Sequence, residues 1–195
     1  MGYLTNEDLI KFNFKKIGKN VKISDKCNIY NSTNIEIGNN VRIDDFCVIS
    51  AGTGGIEIKD FVHLSLYVSI QGSGKITLGN YVGCAPKVSI ISTSDDYSGE
   101  FMTNPQVASV DPSFTKPYST DIYIGNHCII GMNSIVLPNS YISDGISIGA
   151  MSMVNRKLTK HGIYFGIPVK FFSDKNYNYQ EVEKSLLEKL NLTKN

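Results

Sequence analysis

Between Ile124 and Val154 the chain is written in sixes: IGNHCI, IGMNSI, VLPNSY, ISDGIS, IGAMSM, then Val154. An aliphatic residue opens every hexad, at Ile124, Ile130, Val136, Ile142, Ile148 and Val154. The fifth place holds a small residue, at Cys128, Ser134, Ser140 and Ser152, with Ile146 as the larger exception. Neither a helical period of 3.6 nor a strand period of 2 produces this pattern. A short fixed repeat marks a solenoid, and hexads mark a β-helix, in which one unit cannot bury itself and coils must stack.

The same register runs back through the chain. Hexads open at Ile17, Ile23 and Ile29; at Ile37, Ile43 and Ile49; at Ile58, Leu64 and Ile70; and at Leu78, Cys84 and Ile90. Grouped in threes, with extra residues recurring before Ile37, Ile58, Leu78 and Ile124, they predict a triangular prism. A bundle of amphipathic helices would need long 3.6-period runs, which the frequent Gly and Asn forbid.

The length of 195 residues fits one domain. Residues 1–16 read as an N-terminal cap, where Thr5 and Asp8 form a capping box ahead of Leu9, Ile10 and Phe12. Residues 17–91 and 122–158 read as coils, with the last hexad opening at Val154. Residues 92–121 interrupt the repeat. This segment carries three prolines and the aromatics Tyr97, Phe101, Phe114 and Tyr118, so an ordered functional arm is expected. Residues 159–195 read as a tail, with GIPVKFF as an extended exit. A helix follows, started at Asn178 and striped by Val182, Leu186, Leu187 and Leu190.

A net charge of +1 without clustered Lys and Arg argues against nucleic-acid binding. No apolar run reaches the ~20 residues of a membrane helix. The first residues fit neither a signal peptide nor a myristoylation site, so a cytoplasmic protein is expected. Cys27, Cys47, Cys84 and Cys128 form no CxxC pair, so no metal is expected. All four fall on inward hexad places and read as small buried hydrophobes.

Hexads in threes, the arm SDDYSGEFMTNP, the closing IGAMSMV and the tail GIPVKFF resemble the left-handed β-helix acyltransferases. Within them the chain is most similar to the sugar N-acetyltransferases acting on dTDP-4-amino-4,6-dideoxyglucose in surface-polysaccharide pathways such as O-antigen. The resemblance implies an all-β, left-handed parallel β-helix and a homotrimer, with acetyl-CoA as cosubstrate in the groove between subunits. It implies that pantetheine follows the turns at Gly131-Met132 and Gly149-Ala150, where a small side chain lets a ligand approach the amides. It also places Pro168 and Lys170 beside adenine and phosphates. Ordinary turn geometry accounts for any single glycine at least as well, and a solvated charge is the alternative for Lys170.

Relatives that acetylate sugar hydroxyls carry a histidine base where the arm leaves the coil; here that place is Asp95. A carboxylate of ordinary pKa, about 4, is a weak base for a hydroxyl, whereas an amine titrating near roughly 8 has a lone pair of its own. Asp95 is therefore the expected base, with Glu100 assisting, and Asp96, Tyr97 and Asn104 are candidate sugar contacts. Solvated loop charges are the alternative for the acids, and an Asx turn before Pro105 for Asn104. His63 is the alternative base, for a sugar O-acetyltransferase of galactoside or lipopolysaccharide type. His127 is expected at the surface, and His161 could touch the cofactor. A non-catalytic β-helix used for assembly or sugar binding is the reading of a different class.

Overall fold

Each hexad forms one short side of a coil, and equivalent sides stack into three sheets. The computed structural model describes residues 2–192. The first sheet has seven parallel strands: Lys16–Ile17, Ile35–Ile37, Ile56–Ile58, Ile76–Leu78, Ile122–Ile124, Tyr141–Ile142 and Lys157–Leu158. The second begins with Lys22–Ile23, Arg42–Ile43, His63–Leu64, Gly83–Cys84, Ile129–Ile130, Ser147–Ile148 and Ile163–Gly166. Its eighth strand, Val169–Ser173, returns antiparallel. The third holds Asn28–Tyr30, Val48–Ala51, Ser69–Gly72, Ser89–Ile91, Ile135–Val136 and Met153–Val154. The result is a left-handed parallel β-helix.

The strands pair in register, so hexad-opening residues form continuous inward columns. Ile37, Ile58, Leu78, Ile124 and Ile142 make one of them, all essentially inaccessible. Burying each such side chain contributes about 2 kcal/mol. At the open lower end Ile17 is still 38% exposed, because no coil lies beneath it.

Corners are made by single residues in the left-handed region. Asn20, Asn40, Phe61, Tyr81 and His127 occupy one corner, and Phe46, Tyr67, Lys87, Asn133 and Met151 another, all with φ between 55° and 63°. Asn tolerates this conformation; Phe, Tyr and Met do not adopt it readily. Stacking between successive corners offsets the strain, with ring centroids 5.0 Å apart for Phe61–Tyr81, 4.6 Å for Tyr81–His127 and 4.9 Å for Phe46–Tyr67.

A second ladder explains the Gly-Asn pairs. The Asn39, Asp60, Asn80, Asn126 and Asp144 side chains each accept a backbone N–H from the coil before, at 2.7–3.0 Å. A side chain at Gly79 or Gly125 would collide with the next coil there.

The capping box on α1 (Asn6–Lys11) forms as expected, and Leu9 packs against the lowest coil. Ile10 instead faces solvent, 77% exposed. The β-helix also runs beyond the expected limit at residue 158. Lys157–Leu158 and Ile163–Gly166 extend the first two sheets, with Tyr164 taking an aliphatic place and donating its hydroxyl to the Lys160 carbonyl at 2.8 Å. GIPVKFF is the turn and return strand of a hairpin. Asn178 supplies its backbone carbonyl to Val182 at the start of α2 (Tyr179–Leu192). Its stripe is not laid on the last coil: Val182, Leu186 and Leu187 are exposed. No described helix is long and apolar enough to cross a membrane.

Three cysteines are buried, but Cys27 is only half-buried, because its coil is the lowest. The Cys47 thiol beside it lowers the pKa of Cys27, and Cys27 together with burial raises that of Cys47. Burial pushes Cys84 and Cys128 up to about 12. Native protein treated with a disulfide reagent is expected to label at Cys27 first, with the other three reacting only on unfolding. Equal native rates for all four, read by mass spectrometry, contradict the packing.

Candidate active site

The repeat breaks where Ser92 turns its hydroxyl inward to the Gly74 carbonyl, at 2.8 Å. Thr93–Ser94 then pairs antiparallel with Tyr118–Ser119, forming a stem. Thr93 Oγ1 accepts the Ser73 N–H at 2.7 Å and lies 2.8 Å from Ser119 Oγ, which ties the stem to the prism. Asp95 is the first residue past this anchor.

Two arm residues are engaged within the arm itself. Asp96 accepts the Ser98 amide at 3.0 Å, the Ser98 hydroxyl at 2.8 Å and the Phe101 amide at 3.4 Å. The Ser98 amide and hydroxyl hold its carboxyl below the usual range. Asn104 Oδ1 accepts the Gln106 amide at 2.9 Å and caps the 3-10 turn Pro105–Ser109, the Asx geometry weighed above. Asp111 caps Pro112–Phe114 in the same way, and the Met102 amide donates to the Phe114 carbonyl at 2.9 Å. Asp95 is half-buried, while Tyr97 and Glu100 are exposed. Of the expected site residues in the arm, Tyr97 and Glu100 are thus exposed and Asp95 half-exposed, beside a turn that Asp96 and Asn104 hold in shape.

Gly131-Met132 and Gly149-Ala150 occupy the same turn in successive coils. Coil stacking explains both glycines. A Cβ on Gly131 would strike the Ala150 backbone, and one on Gly149 would strike the Phe165 ring. Ser134 Oγ donates to the Gly149 carbonyl at 2.9 Å, and Ser152 Oγ accepts the Gly166 amide at 3.1 Å, which joins the hairpin to this turn. Met132, Met151, Phe165, Ile167 and Phe172 remain exposed around it. Pro168 follows a cis peptide bond at the hairpin tip, and Lys170 projects into solvent on the return strand. An apolar, aromatic edge beside a lysine suits a ligand with an aromatic ring and phosphates.

The histidines part company. His127 is not at the open surface. It stacks on Tyr81, contacts Tyr179 of α2 and lies 2.8 Å from Glu183 Oε2, so the C-terminal helix covers it. His161 stacks on Tyr177 at 3.8 Å, its Nε2 buried without a hydrogen-bond partner among the described residues; burial, then Lys175, lowers its pKa. His63 is exposed on the second sheet, with Nε2 2.9 Å from Asp44 Oδ2. Sequence reasoning missed Asp44. The signal was a carboxylate in a hexad place that is Ser24, Ser65, Ala85, Gly131 or Gly149 elsewhere.

No family profile matches the chain. The dTDP-4-amino-4,6-dideoxy-D-glucose acyltransferase of Escherichia coli is 46% identical over 183 residues, covering 94% of each protein. The chain belongs to this family of left-handed β-helix acyltransferases. It is an acyltransferase. AntD, an N-acyltransferase from Bacillus cereus, superposes with a TM-score of 0.90 at 33% identity in complex with dTDP and 3-hydroxybutyryl-CoA, over 98% of this chain and all 100% of AntD. An AntD variant bound to dTDP-4-amino-4,6-dideoxyglucose and coenzyme A superposes equally well, with a TM-score of 0.90 over 96% of this chain and 98% of that one. A putative lipopolysaccharide biosynthesis O-acetyl transferase of Escherichia coli K12 is 30% identical over 131 residues, 66% of this chain and 64% of that protein.

Proposed function

We propose that this acyltransferase moves an acetyl group from acetyl-CoA to the 4-amine of dTDP-4-amino-4,6-dideoxyglucose, in the cytoplasm, for surface polysaccharide such as O-antigen. The carrying observation is the near full-length match to an acyltransferase of that sugar nucleotide, joined to an arm that presents Asp95 where a hydroxyl-directed relative has histidine. The neutral amine attacks the thioester carbonyl carbon. A C–N bond forms, the C–S bond breaks, Asp95 takes the proton shed by nitrogen and gives it up to the leaving thiolate, and CoA departs as the thiol. Glu100 and Tyr97 position the sugar. The Gly131 and Gly149 amides are donated to the Ile148 and Tyr164 carbonyls, so the turns offer the thioester arm the Met132 and Ala150 backbone, and Pro168 and Lys170 flank the adenine and phosphates. Most of the acceleration is proximity.

The whole chain acts as one domain within a homotrimer. Support comes from the outward columns. The first sheet presents Lys16, Glu36, Glu57 and Lys157, laced by Lys15–Glu36 at 2.7 Å and Lys75–Glu57 at 3.0 Å. The third presents Asn28, Val48, Ser69, Ser89, Ile135 and Met153, with no charge. Ile129 and Ile135 are exposed in the single chain, as is the α2 stripe. Uncharged sides meeting charged-free neighbours around a threefold axis supply the second wall that a flat solenoid face lacks. The expected results are a light-scattering mass of three chains, and thiol release from acetyl-CoA that depends on the dTDP-amino sugar. A one-chain mass removes the trimer, and thiol release with no dependence on the sugar removes the acceptor.

A further inference from the structure

On the second sheet the outward residues stand in register as Lys22, Arg42, His63 and Gly83. The first three are cationic groups or can become so, and the next two outward residues are Ile129 and Ser147, so no acid interrupts the column. On the first sheet, by contrast, lysines and glutamates share a column and pair with their surroundings.

Behind this column lies Asp44, its side chain only 6% exposed. One carboxylate oxygen accepts Arg42 Nε at 2.7 Å, and the other pairs with His63 Nε2 at 2.9 Å. A buried carboxylate is costly unless paired, and here it occupies a place that other coils fill with Ser, Ala or Gly. What it achieves is to fix two neighbouring headgroups on one face, each about half exposed, at 49% and 47%. With Nε2 committed to Asp44, Nδ1 is the ring nitrogen left for a ligand. Next in the column is Gly83, where an added Cβ would meet nothing nearer than Ile129 Cγ1 at 3.9 Å. The imidazole therefore borders a notch in the sheet surface.

We infer that Lys22, Arg42 and His63, held from behind by Asp44, seat a diphosphate group, and that this group belongs to the nucleotide sugar. Neighbouring strands lie about 4.8 Å apart, so Arg42 and His63 can each face one phosphoryl group while the ester continues into the notch at Gly83. CoA also carries a diphosphate, but its side of the site is elsewhere. Four strands separate His63–Leu64 from the strand of Lys170, which puts the two cationic stations about 24 Å apart on one sheet. The inference rests on the proposal above that the two substrates are a dTDP-sugar and an acyl-CoA.

Calorimetric titration of the full chain with dTDP and, separately, with CoA tests it without any turnover. Arg42→Gln and His63→Gln are each expected to weaken dTDP about tenfold, the scale of one charge-assisted hydrogen bond, with CoA unchanged. Lys22→Gln, at an exposed position that leaves the Asp44 cluster intact, is expected to weaken it about threefold. His63→Lys keeps a cation and is expected to recover most of the loss. Unchanged dTDP binding in all three glutamine variants overturns the inference. Weakened CoA binding with dTDP unchanged assigns the diphosphate to the donor and overturns the nucleotide source. A wild-type chain that binds CoA but not dTDP overturns the acceptor reading itself, and is told apart because no variant is needed to see it.

Discussion

Replacing residues 95–117 with an Asn-Gly turn abolishes acyl transfer and leaves the β-helix folded. The stem makes the replacement feasible. Thr93 pairs with Ser119 and Ser94 with Tyr118, so two residues of hairpin-turn type can close the strands. Nothing in the excised segment is buried, so no inward column loses a member. Shortening a loop carries little entropic cost, and the melting temperature is expected within a few degrees of wild type. Transfer disappears because Asp95, Tyr97 and Glu100 leave together with the turn that presents them. The measurement pairs thermal melting with thiol release from acetyl-CoA in the presence of the dTDP-amino sugar. Full activity removes the arm from the site. A cooperative melt with loss of oligomer mass assigns the arm to assembly instead.

The fold was legible because the hexad is a packing rule: any residue at an opening place must fit between two coils, and only aliphatics of similar size do so repeatedly. The arm was legible as the place where that rule stops. The ladder from Asn39 to Asp144 was visible as recurring Gly-Asn, although its purpose, satisfying amides of the coil before, needs the stacked geometry. The continuation beyond residue 158 was hidden by Tyr164, an aromatic in an aliphatic place whose hydroxyl finds a carbonyl. His127 was misplaced because the element that covers it lies 56 residues onward, at Glu183, and a local period carries no information about such a partner. The Asp44–His63 pair was open to arithmetic: 19 residues separate them, two fewer than the 21 of this coil, so Asp44 stands two places past Arg42, the residue directly opposite His63. That step requires knowing that the carboxylate turns sideways to the neighbouring strand, which the hexad pattern does not specify.

The nature of the acceptor gives the other large effect. The dTDP-linked 4-amino sugar is expected to turn over, and its 4-hydroxy counterpart is not. A hydroxyl must shed its proton as it attacks and needs a base that a carboxylate does not provide well, whereas a neutral amine attacks with its own lone pair and needs a proton acceptor only afterwards. Asp95 stands at the arm's point of departure, fixed through Thr93 and Ser119 to the prism and free of the internal bonds that occupy Asp96. Asp95→Asn keeps the shape and the hydrogen-bonding carbonyl while removing the proton acceptor. It is expected to lower kcat by about 10² or more, with acetyl-CoA affinity little changed. Glu100→Gln, at an exposed position, is expected to act less and chiefly on the KM for the sugar. Steady-state kinetics with both sugars decide the matter. Equal or faster turnover of the hydroxy sugar identifies an O-acyltransferase and returns the role of base to His63, clamped on Asp44. An Asp95→Asn enzyme of unchanged kcat keeps the amine as acceptor but takes the proton elsewhere, because a group that receives it during attack cannot be neutralised without cost.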